Sequence, residues 1–191
     1  GLEDVHGEGT EIGEARVEVD QGLGRRLRES ARKLGVSAAS VCHLAWAQVL
    51  GRLSGRQDVV FGTVLFGRMQ GGEGADRVMG LFINTLPVRI TLGNAGVEAS
   101  VRSTHRLLGE LMRHEHASLA LAQRCSGVAA PSPLFSALLN YRHGGQTEPA
   151  EAKQAWEGVE GIYGEERTNY PLTLSVDDLG EGFWLTAQVE A

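Results

Sequence analysis

Two β-favouring runs, Asp58 to Phe66 (DVVFGTVLF) and Asn84 to Leu92 (NTLPVRITL), constrain the fold more than anything else in this chain. The first is almost continuously apolar, the pattern of a strand buried on both faces. The second carries Pro87, which has no N–H to donate and so belongs on a sheet edge or at a bulge. Between them, Gly67 to Asp76 contains four glycines and reads as a loop.

Helix signals surround this pair. Asp20 is placed to accept the free N–H groups of a first turn. Leu23, Leu27, Ala31 and Leu34 then recur at helical spacing until Gly35. Ser37 caps a second helix whose apolar stripe is read as Val41, Leu44, Ala45, Val49 and Leu53. Trp46 and Leu50 widen that stripe, His43, Gln48 and Arg52 lie off it, and Gly55 ends the helix. Val97 to about His116 predicts a long helix that turns Val101, Leu107, Leu108, Leu111 and Met112 to the core. Ser118 to Arg124 predicts a short one, closed by Gly127 and the Pro131/Pro133 pair. Further strands are expected at Ala15–Val19, Leu134–Tyr141 and Trp156–Tyr163. Two more, Asn169–Val176 and Phe183–Val189, form a hairpin around DDLGEG. The stretch from Arg142 to Gln154 is polar and Gly-rich, hence an exposed loop. The sum is an α/β fold, a mixed sheet of five or six strands with helices packed on one face. Residues 1–14 read as an arriving linker or the scar of a cut.

The chain has 191 residues, 42% hydrophobic and 22% charged, enough for one globular core. Its net charge of −6 argues against a nucleic-acid partner. No apolar run is long enough to span a bilayer, so no membrane partner is expected. Cys42 and Cys125 sit among apolar neighbours and read as small packing residues, and the expected compartment is cytoplasmic. His114 and His116 are two apart on a helix and point in different directions, so they make no metal pair. His43, His105 and His143 lack a neighbouring nucleophile or carboxylate in sequence. Asp177, Asp178, Glu181, Glu165 and Glu166 read as solvated acids at turns. Gly71, Gly72 and Gly74 are not followed by Lys-Ser/Thr, which excludes a Walker-type phosphate loop. From the residues alone, no complete active site emerges.

Five ordered segments add a resemblance. These are Leu44–Gly67, Met79–Arg89 (MGLFINTLPVR), His114–Arg124, Pro133–His143 (PLFSALLNYRH) and Asn169–Asp178 (NYPLTLSVDD). Together they resemble the condensation domains of nonribosomal peptide synthetases, from about Ala15 to Ala191. Gly80, Phe82, Asn84, Thr85 and Arg89 stand where that family has Gly-x-Phe-Val-Asn-Thr and its following Arg. The resemblance implies a chloramphenicol-acetyltransferase-like fold of two lobes with a tunnel between them. Carrier proteins, usually acidic, dock at the tunnel mouths and insert phosphopantetheine arms, and no cofactor is bound directly. The second His of an HHxxxDG motif assists the acceptor amine. No such motif occurs in this sequence. Residues 15–191 are therefore expected to be the C-terminal subdomain, inactive alone. Its expected partners are an N-terminal subdomain, donor and acceptor carrier proteins and a neighbouring adenylation domain. Gly67–Asp76 would lie near the floor loop and the 170–190 hairpin near the latch. Phe66, Gly67, Arg68, Asn84 and Arg89 are the candidate tunnel or lobe-contact residues. Asn84 has a second reading as a residue that satisfies backbone groups at a strand start, and Arg89 as the partner of a carboxylate. Many members carry Ser before the Gly-Arg pair. Phe66 stands there and removes a hydroxyl. An epimerisation or dual epimerisation/condensation lobe, or a non-catalytic carrier-docking module, stays open as an alternative.

Overall fold

A computed structural model describes residues 12–67, 79–129, 131–144 and 168–190. The elements run β1 (Ile12–Glu18), α1 (Gln21–Leu34), α2 (Ala38–Ser54), β2 (Asp58–Leu65), β3 (Asn84–Thr91), α3 (Val97–Met112), α4 (Leu119–Ser126), β4 (Ala137–His143), β5 (Leu172–Asp178) and β6 (Phe183–Glu190). The strand proposed at 156–163 lies outside the described residues. The six strands form one sheet in the order β1-β6-β5-β4-β2-β3. Only the β2–β4 and β4–β5 pairs are parallel, so the sheet is mixed. β3 is an edge strand, and its register with β2 runs unbroken through Pro87, so the proline marks an edge and not a bulge.

The caps are where the local chemistry puts them. Asp20 Oδ1 accepts from the Leu23 N–H at 2.9 Å, and Ser37 and Ser118 accept from Ser40 and Leu121 at 3.2 Å each. Each such cap contributes about 1 kcal/mol. Gly35, Gly55 and Gly127 end α1, α2 and α4 in the left-handed conformation that glycine adopts without steric cost.

Strand alternation sorts the side chains into two faces. Val59, Phe61, Leu86, Val88, Ile90, Leu139, Val176 and Phe183 point to one face, where they join Leu44, Ala47, Val101 and Leu108 in the core. Helices α1, α2 and α3 close this face. On the other face, Phe135 packs over Gly62, where an added Cβ would collide with its ring. Phe135 in turn stacks on Tyr170 at 5.3 Å between ring centroids. β2 is thus buried on both faces only at Phe61–Thr63, while Val60 is exposed.

Two of the helix readings are corrected. The buried side of α2 is Ser40, His43, Leu44, Ala47 and Gly51, with Trp46 beside it, while Val49 and Leu53 face solvent. The helix is apolar nearly all round, so apolar count alone does not set its rotation. The small residues do, because Gly51 packs so closely under Leu92 that no Cβ would fit. α3 ends at Met112, and Leu107 and Met112 are partly exposed instead of core-facing.

His43 is a structural residue of this core. Its Nδ1–H donates to the Ala39 carbonyl at 2.7 Å, which leaves Nε2 to accept from the Thr63 hydroxyl at 2.8 Å. Burial is the main cause that pushes its imidazole down from 6.5 to about 4. Between these values the unfolded chain binds a proton that the folded chain refuses. Stability is therefore full above pH 6.5 and falls as the pH drops toward 4, by about 3 kcal/mol for this group. Urea unfolding followed across that window is expected to show this loss in the native chain. In His43→Gln the loss should be smaller by about that amount.

Candidate functional site

The sequence candidates divide between two ends of the β2–β3 pair. Leu65 and Asn84 are register partners, so Phe66 and Gly67 leave the strand beside the residue at which β3 starts. Gly67 has φ +72°, and a Cβ there would overlap the Phe82 carbonyl. The two backbones cross in contact, and only glycine fits. Arg89 opposes Val60 at the far end of the same pair, about 16 Å along the strand. Arg68 lies outside the described residues.

Asn84 works as a clamp. Its Nδ2 donates to the carbonyls of Glu115 at 2.8 Å and Ala117 at 2.7 Å, and its Oδ1 accepts from the Thr85 N–H at 2.9 Å. Only a carboxamide offers two donors and an acceptor in this plane. Aspartate would face two carbonyl oxygens with no proton to share. The clamp ties the start of β3 to the turn between α3 and α4. Arg89 grips Asp58 on the open sheet face, with Nε 3.0 Å from Oδ1 and Nη2 2.5 Å from Oδ2. That hydrogen bond holds the Asp58 carboxyl below its ordinary value. Both residues are exposed, so the pair is a well-formed surface contact.

The sequence reading passed over three neighbours of this crossing. Met79, Leu81 and Ile83 are 95%, 89% and 56% exposed, and Phe66 is 62% exposed. They alternate with Gly80, Phe82 and Asn84, the residues that carry the motif. This period of two is visible in MGLFIN. One end of the sheet therefore presents four apolar side chains around a rigid backbone crossing.

One described histidine, His116, sits in the turn beside this end, between the two residues whose carbonyls Asn84 clamps. His43 is buried on the helix-covered face. His105 Nδ1 bonds the Ser40 hydroxyl at 2.9 Å, joining α3 to α2. His116 Nε2 lies 3.7 Å from Glu115, and His143 Nδ1 lies 3.3 Å from Asp178. Among the described residues no three His, Cys, Asp or Glu side chains gather as a metal site.

Asp178 overturns the reading of the 177–181 acids as solvated, because it is 3% exposed. It accepts from Arg28 Nη1 at 2.7 Å, Tyr141 OH at 2.5 Å and the Gly180 N–H at 3.1 Å. Burial pushes its carboxyl up, but these donors outweigh it and hold the group below its ordinary value. Burial and the bond to Asp178 push the Tyr141 phenol up, so it stays a donor. Burial, with help from the Asp178 charge, pushes the Cys42 thiol up to about 12 and leaves it unreactive. Asp177 is also paired, with Arg142 Nε at 2.6 Å.

Comparison with known proteins follows the same outline. The sequence model of one family, described as Condensation domain, matches residues 4–189. The malpibaldin synthetase of Mortierella alpina is 58% identical over 99% of this chain, and the malpinin synthetase of the same organism 53% over 100%. A linear gramicidin synthase of Brevibacillus parabrevis is 30% identical over 84%. The chain spans about 3% of the malpibaldin synthetase and 2% of the malpinin synthetase. In three dimensions it resembles the condensation domain of the monacolin K polyketide synthase, with a TM-score of 0.73 and 24% identity, covering 96% of this chain and 43% of that one. It also resembles a four-domain nonribosomal peptide synthetase solved with AMP and glycine, with a TM-score of 0.74 and 12% identity, covering 94% of this chain and 15% of that one.

The backbone crossing gives a direct test. Gly67→Ala is expected to lose more than about 2 kcal/mol, since it adds left-handed strain and a backbone clash. Gly109→Ala in α3, where nothing lies within 4 Å of the added Cβ, is expected to be neutral or to gain up to about 1 kcal/mol. Chemical denaturation of the two variants beside the native chain measures both.

Proposed function

Since this chain belongs to the condensation-domain family, as one lobe of such a domain from a nonribosomal peptide synthetase, we propose that it serves peptide-bond formation between two carrier-bound thioesters. Domains of this family are acyltransferases that form amide bonds. In the proposed reaction the amine of an acceptor aminoacyl thioester attacks the carbonyl of a donor acyl or peptidyl thioester. A C–N bond forms, the donor C–S bond breaks, and the amine proton passes to a base while the donor arm leaves as thiol. Both substrates arrive on phosphopantetheine arms of carrier proteins, and a neighbouring adenylation domain loads the acceptor. The expected compartment is the cytoplasm.

The observation that carries this reading is the match of the family's sequence model along almost the whole chain. The site adds a division of labour. The β2–β3 end offers shape, apolar surface and a rigid crossing, and its neighbour His116 lies 3.7 Å from the Glu115 carboxylate. We assign the base to a partner lobe that bears HHxxxDG, and to this chain the holding of the acceptor side. Phe66, Gly67, Arg68 and Asn84 would line or brace that side. Arg89, paired with Asp58 at the far end, would act on the sheet face. A thioester is already activated, so positioning and one proton transfer carry much of the rate.

With loaded donor and acceptor carriers, the isolated chain is expected to yield no dipeptide above background. Co-expressed with an HHxxxDG lobe of a condensation domain, it is expected to restore product, which mass spectrometry would detect. Product from this chain alone would place the base within it and sink the assignment. Inversion of the donor α-carbon in the product would favour the dual epimerisation reading.

A further inference from the structure

We propose that His116 is a proton carrier of the condensation reaction, taking the proton that the acceptor ammonium must lose before its nitrogen can attack. This rests on the condensation reading and adds a residue of this chain to its chemistry.

The fold delivers this imidazole to the candidate site. α3 ends at Met112, and the chain turns back through residues 113–117, where the Ala117 N–H donates to the His114 carbonyl at 2.8 Å. Asn84 grips the carbonyls on either side of His116, those of Glu115 and Ala117. Asn84 in turn opposes Leu65, which leads directly into Phe66 and Gly67 at the crossing. Backbone hydrogen bonds thus pin His116 to the β2–β3 end.

Its surroundings suit proton transfer. The Glu115 side chain is 1% exposed, and its Oε1 lies 3.7 Å from His116 Nε2. An acid screened from water there is placed to balance the charge that the ring gains with a proton. With Nε2 turned to the acid, Nδ1 is the atom left to accept. The ring is 61% exposed, so a proton taken there can pass on to water. Competing charges are few. Arg113 pairs with Glu110 at 3.4 Å, and His114 shares the turn. Residues 79–85 and the first turn of α4 carry no charged side chain.

The reaction has a use for a second carrier. An α-amine has a pKa of about 8, so about nine acceptors in ten arrive at pH 7 as ammonium. Becoming an amide costs that nitrogen two protons. His116 accepts the first, which leaves a neutral amine and an imidazolium that discharges to water. The amine then forms the C–N bond as the donor C–S bond breaks. The base of the partner lobe takes the second proton, which ends on the departing thiol.

The test uses the chain co-expressed with an HHxxxDG lobe of a condensation domain. Dipeptide formation from loaded carriers is followed from about pH 6.5 to about pH 9, with circular dichroism as the check on folding. His116→Gln is expected to lose about tenfold in kcat at pH 7 with KM for the acceptor unchanged. It should match the native complex near pH 9, where the amine is neutral unaided. His116→Ala is expected to lose as much and to recover with added imidazole, which keeps the test open if the first variant misfolds. A loss of equal size at every pH, or no rescue by imidazole, would mark His116 as a structural turn residue and overturn the proposal. So would native activity of either variant at pH 7. A native complex that makes no product at any pH would instead overturn the condensation reading, and this proposal with it.

Discussion

A six-stranded sheet has two faces, and among the described residues helices α1, α2 and α3 close one of them. Most of what is distinctive in the structure follows from this asymmetry. The closed face is a core centred on Phe61, Leu139, Val176 and Phe183. The opposite face mixes hydroxyls, ion pairs such as Arg142–Asp177, and the Phe135–Tyr170 stack. At the end of β2, four exposed apolar side chains surround a backbone crossing that only Gly67 permits. A lobe of this construction is shaped to meet something else.

Two buried polar contacts hold the helices in place on the closed face. His43 joins α2 to Thr63 of β2, and Arg28 joins α1 to Asp178 at the end of β5. Either contact would be costly to break. Removing one partner of a buried ion pair typically costs about 3–5 kcal/mol, because the other charge is stranded. The Asp178 site avoids that cost with a donor on each oxygen and a charge-balancing guanidinium. It sets where α1 lies, and therefore which way the remaining cations of α1 point.

Much of the fold was legible in the sequence because its signals are local. Asp20, Ser37 and Ser118 act within three residues of themselves, and Gly35, Gly55 and Gly127 end helices by their own conformation. Pro87 announced an edge strand. The failures were long-range. Arg28 and Asp178 are 150 residues apart, so nothing near DDLGEG marks Asp178 as buried. Asn84 stood out by its motif, yet the carbonyls it clamps lie 31 and 33 residues away. The rotation of α2 was misjudged because apolar residues surround it. Ser40, Ala47 and Gly51 marked the buried side by being small, a signal that counting hydrophobics hides. The candidate site was half legible. Its motif residues stand out in MGLFINTLPVR, but the exposure of the alternating Met79, Leu81 and Ile83 emerges only once the strands are paired.

In the proposed function, the β2–β3 end of this lobe is completed by a second lobe that carries the base. Amide hydrogen exchange measures this directly, on the chain alone and on the chain co-purified with an HHxxxDG lobe. Slowed exchange is expected at residues 79–84 and around Phe66 in the complex, with the amides of the helix-closed core unchanged. Protection confined to other surfaces, with residues 79–84 exchanging as fast as in the free chain, would contradict it.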